Sequence, residues 1–148
     1  MTGTTTEHTA RKSVWKHGIV AAVAAAAVTT GLAYVASKAG VSFADPHPVD
    51  PAKATIPLLG FTELTIVFSL IGLGLAAILA RTARRPRRTF VATTLALLVL
   101  SVVPDFVAIP ALMIPNWDTA TSWTLAALHV VAAAIVIPVL AGRLATER

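Results

Sequence analysis

The stretch FVATTLALLVLSVVPDFVAIPAL, residues 90–112, decides the fold. It is long enough to cross a bilayer, because about 20 apolar residues in a helix span the ~30 Å hydrocarbon core. Pro104 and Asp105 interrupt it near its C-terminal end. An aspartate inside an apolar span costs roughly 2.5–3.5 kcal/mol on insertion scales. We therefore expect Asp105 to face protein or water rather than lipid.

Three further apolar runs of similar length make this an integral membrane protein. The 148 residues are 56% hydrophobic and 13% charged, whereas a soluble domain usually carries about 25% charged residues. We predict an all-α fold, an integral membrane four-helix bundle that occupies residues 14–144 as one domain. Its spans are predicted at about residues 14–37, 56–80, 90–112 and 119–142. Residues 1–13 are predicted to be a disordered tail and residues 145–148 a second tail.

Basic residues predict how the chain is threaded through the membrane. The loop after the second span carries five arginines: Arg81, Arg84, Arg85, Arg87 and Arg88. Five further basic residues precede the first span or follow the fourth, and only Lys38 and Lys53 lie on the other side. Lys and Arg accumulate in cytoplasmic loops, so we predict that both termini are cytoplasmic.

The arginine loop also suggests partners. Because it is short and pinned between two spans, we expect contact with the lipid bilayer and with anionic lipid at the cytoplasmic face, and no nucleic acid. Small residues recur on one face of the first span and favour close helix packing. Such faces could also join a second copy of the chain or a membrane-protein partner.

Several classes of site are excluded by what the sequence lacks. There is no cysteine, which excludes disulfides, thiolate zinc sites and iron–sulfur clusters. No G-x-S-x-G motif, P-loop or dinucleotide fingerprint occurs. We therefore expect no cofactor and favour a protein that is not an enzyme. Four spans without an inverted repeat also argue against a transporter.

Ionisable residues interrupt three of the spans at similar depth. Glu63, Asp105 and His129 lie seven to ten residues inward from the outer ends of their spans, which corresponds to ~10–15 Å. Ser101 precedes Asp105 by four residues and Ser122 precedes His129 by seven, so each serine shares a helix face with its ionisable neighbour. We predict that Glu63, Asp105 and His129 line an outward-opening polar pocket, with Ser101 and Ser122 as further candidates in the polar cluster.

Several uses of this pocket remain open. It could be a hydrogen-bond network that sets helix register, or a site for a proton or small cation. Glu63, Asp105 and His129 could alternatively hold a metal in a membrane-embedded enzyme, although no paired motif such as H-E-x-x-H is present. The chain could also be an accessory subunit of a larger membrane complex.

The first span has a second interpretation as a cleaved signal peptide. Ser42-Phe43-Ala44 resembles a cleavage site that follows small residues. The apolar core is longer than the 7–15 residues typical of signal peptides, and this site lies well beyond its end. Retention as a membrane span is therefore favoured.

Three short segments resemble a known family. They are Phe61-Thr62-Glu63-Leu64, Val103-Pro104-Asp105-Phe106 and the run LHVVAAA at residues 128–134. The chain resembles a family of small actinobacterial four-helix membrane proteins of unknown function. The resemblance implies a multi-pass protein of a bacterial cytoplasmic (plasma) membrane with a four-helix fold, and it implies no activity.

Overall fold

Four long helices make up the fold. The computed structural model describes the backbone of residues 4–43, 56–107 and 119–146, and the side chains of residues 14–43, 56–107 and 119–144. The helices are α1 (Thr4–Lys38), α2 (Leu58–Thr82), α3 (Pro86–Phe106) and α4 (Thr119–Thr146). Each holds an apolar stretch that could cross a membrane: Val14–Lys38, Leu58–Thr82, Pro86–Phe106 and Thr119–Leu144. The prediction of an all-α membrane four-helix bundle is confirmed.

Two helices begin earlier than the sequence predicted. Helix α1 begins at Thr4, so most of the stretch predicted to be a disordered tail is helical. Once a helix exists, each further residue adds a hydrogen bond without a new nucleation step, which favours extension of the apolar span. Helix α3 begins at Pro86 because proline suits the first helical position, where its missing N–H has no partner to lose.

The C-terminal ends differ from the prediction as well. Helix α4 continues to Thr146, into the predicted tail. Helix α3 ends at Phe106, and residues 108–112 of the predicted third span lie outside the described residues. Lys53 and Arg148, both used to predict the threading, also lie outside them.

Helix α4 is the element against which two of the other helices pack. Helix α1 packs chiefly against α2 and α4, and α3 packs chiefly against α4. We call the end at which α1 and α3 begin the arginine end, and the opposite end the far end. Helix α1 contributes fully buried alanines, Ala25 and Ala33, to the two apolar clusters and is therefore an integral part of the bundle.

The half of the bundle near the arginine end is closely packed. Its core joins residues from all four helices: Val14, Ala25, Leu73, Ala76, Phe90, Val136, Leu140, Ala141 and Leu144. Gly18 permits this packing, because a Cβ at that position would lie 2.5 Å from Leu73 Cδ1 and 3.2 Å from Leu140 Cδ2. Any larger residue at this point would force the Leu73 side chain to shift or α1 to move away from α2 and α4.

The half near the far end has a smaller apolar cluster and more polar contacts. Ala33, Phe43, Phe61 and Leu128 form this cluster. The rings of Phe43 and Phe61 meet edge to face with 4.9 Å between centroids. The predicted small-residue face of α1 lies in the bundle, since Ala22, Ala26, Thr29 and Ala33 are buried, although Ser37 at its end is exposed.

Candidate functional site

Helices α3 and α4 bring two of the predicted site residues together. Asp105 lies one residue before the end of α3, and His129 lies in the first half of α4. The Asp105 Oδ2 atom is 3.7 Å from the His129 Nδ1 atom. The Asp105 side chain is only 6% exposed, whereas that of His129 is 38% exposed. The pair therefore has one buried member and one accessible member.

The buried carboxylate oxygen lacks a close partner. Within the described part of the chain, no hydrogen-bond donor reaches Asp105 Oδ2. An unpartnered polar group in an apolar setting is costly, and a charged one is more so. Among the described residues, the imidazole of His129 lies beside it at ion-pair distance, beyond a hydrogen bond. Asp105 is thus a buried acid with an imidazole next to it.

The orientation of the His129 ring follows from its other contact. Its Nδ1 atom is 2.8 Å from the carbonyl oxygen of Leu125, one turn earlier in α4. A carbonyl can only accept, so Nδ1 carries the hydrogen and donates it. The Nδ1 atom is therefore engaged within α4, and this bond fixes the orientation of the ring.

Ser122 joins the two helices beside the pair. Its hydroxyl donates a 2.6 Å hydrogen bond to the backbone carbonyl of Asp105. The last carbonyls of a helix have no partner within the helix, and this one is satisfied by α4 instead. The bond holds the end of α3 against the start of α4 and so positions Asp105 opposite His129.

Thr121 makes a second connection that the sequence did not reveal. Its hydroxyl donates a 2.7 Å hydrogen bond to the carbonyl oxygen of Ser42, which follows α1. Thr121 is fully buried. Since the partner is a backbone atom 79 positions away, no spacing within α4 could have indicated it.

Ser101 lies on the face predicted for it, and its hydroxyl bonds to the backbone of its own helix. Its hydroxyl donates to the carbonyl oxygen of Leu98 at 2.8 Å. The side chain is half-buried. Ser101 therefore shares a face with Asp105, while the hydroxyl that contacts the end of α3 is that of Ser122.

Glu63 does not join the pair, which corrects the predicted three-residue pocket. It is exposed on α2, and no contact among the described residues links it to Asp105 or His129. The neighbouring Thr62 faces α1, where its hydroxyl lies 2.7 Å from that of Thr30. One residue further along a helix is a rotation of about 100°, so Glu63 points away from that interface.

The threonines of α1 and α2 form contacts that the sequence analysis did not identify. Besides Thr30 and Thr62, the hydroxyls of Thr29 and Thr65 lie 3.1 Å apart. The Thr29 hydroxyl also donates to the carbonyl oxygen of Ala25 at 2.9 Å, so at the other contact it accepts from Thr65. The spacing of Thr62 and Thr65, which places both on one face of α2, is the signal that could have predicted these pairs.

The alternative of a metal held by Glu63, Asp105 and His129 needs all three side chains, and Glu63 does not lie with the other two. Among the described residues, no group of three His, Cys, Asp or Glu side chains is placed to hold a metal ion. Asp105 and His129 alone would supply one oxygen and one nitrogen, fewer than the three or four protein ligands of typical zinc sites.

The predicted topology residues lie together at the arginine end. Arg81 is in the last turn of α2, Arg84 and Arg85 lie between the helices, and Arg87 and Arg88 begin α3. All five side chains are exposed. They are about 25 Å from the Asp105–His129 pair, counted along α3 at 1.5 Å per residue.

Comparison with known proteins identifies a family for this chain. Comparison with curated proteins and with solved structures finds no match. Residues 9–146 match a family described as a family of unknown function, DUF6069. The match includes all four apolar spans. The chain therefore belongs to the DUF6069 family of unknown function.

Proposed function

We propose that this is a small non-enzymatic protein of a bacterial plasma membrane, of the actinobacterial type that its sequence resembles. In this proposal both termini are cytoplasmic and the Asp105–His129 pair, in the outer half of the membrane, binds and releases a proton. The observation that carries the proposal is the buried Asp105 Oδ2, without a hydrogen-bond donor among the described residues and 3.7 Å from His129 Nδ1.

Charge conservation explains why such a pair responds to a proton. With one shared proton the pair is neutral, either as an aspartate with an imidazolium or as a carboxylic acid with an imidazole. Losing that proton leaves one negative charge, and gaining another leaves one positive charge. In a low-dielectric setting each of these changes in charge alters the local field strongly.

The unequal exposure of the two side chains suggests a route for the proton. The His129 side chain is 38% exposed and that of Asp105 is 6% exposed, so in this proposal the imidazole is the group that exchanges a proton with the surroundings of the bundle. Proton arrival at the imidazole creates a cation beside the carboxylate. The bond from Ser122 to the Asp105 carbonyl then transmits a change at Asp105 to the contact between α3 and α4.

The proposed orientation follows from the charge distribution. The arginines lie at one end of the apolar spans, and Lys and Arg favour the cytoplasmic side. This assignment places the Asp105–His129 pair toward the outer face. A proton bound there would report conditions outside the cytoplasm.

The test is an infrared titration of the purified protein in lipid nanodiscs. We expect a carbonyl band from a protonated, buried carboxyl group whose intensity changes with pH. Asp105→Asn should remove this band, and His129→Gln should displace its pH midpoint because the shared proton loses one of its two sites. Glu63→Gln is the matched control, since it also neutralises an acid within a span but lies outside the pair.

The outcomes separate this function from its alternative. The Ser122 bond favours a second candidate, in which the pair is only part of a contact that sets helix register. That candidate predicts no pH-dependent carboxyl band attributable to Asp105. It also predicts that the melting temperature of the wild-type protein does not depend on the protonation of His129. A band that persists in Asp105→Asn, or one that Glu63→Gln abolishes, would contradict the proposed proton site.

A further inference from the structure

The arginine end carries many exposed cations and no described acidic side chain. Its exposed basic residues are Lys16, Arg81, Arg84, Arg85, Arg87 and Arg88. Among residues whose side chains the structure describes, the acids are Glu63 and Asp105. Glu63 lies ~27 Å from Arg81 along α2, and Asp105 lies ~25 Å from Arg88 along α3. Both separations far exceed the ~8 Å screening length at physiological ionic strength, so neither acid compensates these charges.

Packing holds the cations on one surface. Val14, Ala76, Phe90 and Leu144 belong to the same apolar cluster, which brings together the start of the apolar stretch of α1, the end of α2, the start of α3 and the end of α4. The basic residues that flank these positions therefore share one end of the bundle. An anion at this end would be attracted to several of these cations at once.

The start of α3 adds to the positive potential. No acidic residue lies in its first turn, and Arg85 at the N-cap position makes no side-chain capping bond. The amino end of a helix carries about half a positive charge, which acidic residues normally offset and basic residues aggravate. The start of α3 therefore adds to the attraction of this end for an anion.

We propose that the arginine end binds the phosphate groups of anionic phospholipids in the adjacent leaflet. Three residues, 83–85, separate α2 from α3, so the arginines stay at the boundary of the apolar spans. Ile78, one turn before the end of α2, is an exposed apolar side chain, which places lipid contact directly beside the cations. Guanidinium groups match phosphate oxygens in a two-pronged geometry, which suits lipid headgroups at this level.

The experiment measures lipid selectivity by electron spin resonance. Spin-labelled phosphatidylglycerol and phosphatidylcholine are compared for association with the wild-type protein in phosphatidylcholine bilayers. Each engaged basic residue is worth up to about fivefold in association. We expect a severalfold preference for phosphatidylglycerol. The combined change Arg85→Gln, Arg87→Gln and Arg88→Gln should bring the ratio close to one.

Single substitutions provide a matched control. Arg88→Gln and Lys38→Gln each remove one exposed cation, the first at the arginine end and the second at the far end. Only Arg88→Gln should reduce the preference. Because the bilayers carry probe lipid in both leaflets, the result does not depend on the orientation of the protein.

Equal association of both lipids with the wild-type protein would overturn the proposal, as would an undiminished preference in the triple variant. Should the triple variant fail to fold, the wild-type protein in about 1 M salt decides, since the screening length there falls to ~3 Å and the preference must decline. A preference for phosphatidylglycerol that persists at this salt concentration would also contradict the proposal. Tight binding of a labelled oligonucleotide without lipid selectivity would show that this surface binds nucleic acid, and it would overturn the lipid assignment.

Discussion

The two halves of the bundle are held together by different kinds of contact. Near the arginine end, Leu73, Phe90 and Leu140 are fully buried in an apolar core to which all four helices contribute. Near the far end, the apolar cluster is smaller, and hydroxyl groups link α1 to α2 and α3 to α4. The helices are held together by complementary apolar packing near the arginine end and by a few polar contacts near the far end.

This difference explains where a titratable pair can reside. In lipid, apolar side chains gain little from leaving the solvent, so close packing is the main source of stability between helices. The half near the arginine end supplies that packing. The far half can then accommodate Asp105 and His129, whose charge changes would disturb a tightly packed apolar core.

The most severe way to break the packed half is to add a methyl group at Gly18. The added Cβ of Gly18→Ala would lie 2.5 Å from Leu73 Cδ1, and Leu73 is fully buried and cannot easily turn away. Gly72→Ala on α2 is the control, because its Cβ would meet nothing within 4 Å. Helix preference favours both changes equally, so overpacking should leave Gly18→Ala about 2 kcal/mol less stable than Gly72→Ala.

Unfolding in mixed detergent micelles measures this difference. Equal stability of the two variants would show that the half near the arginine end is loosely packed, and the contrast between the halves would then disappear. A Gly72→Ala variant that is more stable than the wild-type protein, together with a Gly18→Ala variant that is less stable, would support this contrast.

A smaller effect should come from the hydroxyl contacts of the far half. A double-mutant cycle with Thr30→Val and Thr62→Val isolates the 2.7 Å contact between their hydroxyls. Interhelical hydrogen bonds in membranes average ~0.6 kcal/mol, so we expect a coupling energy of that size. Thr94→Val, whose hydroxyl donates to Phe90 in its own helix, should show no coupling to either change. A coupling energy of zero between Thr30 and Thr62 would mean that shape alone also holds the far half.

Much of the fold could be predicted from the sequence, because the length of an apolar run does not depend on neighbouring helices. The pairing of Asp105 with His129 was also within reach, since counting residues gives depth. Rotation about the helix axis was harder to predict. Glu63 has the right depth and the wrong face, and the faces of Thr62 and Thr65 toward α1 would have revealed this.

Contacts with irregular segments could not be predicted at all. The bond from Thr121 to the Ser42 carbonyl depends on the path of the chain after α1. The partner of the Ser122 hydroxyl is likewise a backbone atom at the end of another helix. Neither contact leaves a periodic signal in the sequence, because a backbone carbonyl places no demand on side-chain identity.

The central claim is that Asp105 and His129 meet, and a distance measurement tests it most directly. Solid-state nuclear magnetic resonance in bilayers can recouple the labelled ring nitrogen of histidine with the labelled carboxyl carbon of aspartate. We predict strong recoupling, corresponding to the 3.7 Å separation of Nδ1 and Oδ2, that Asp105→Asn removes. Absence of this signal in the wild-type protein, or a signal that Asp105→Asn leaves undiminished and that therefore comes from another pair, would contradict the account.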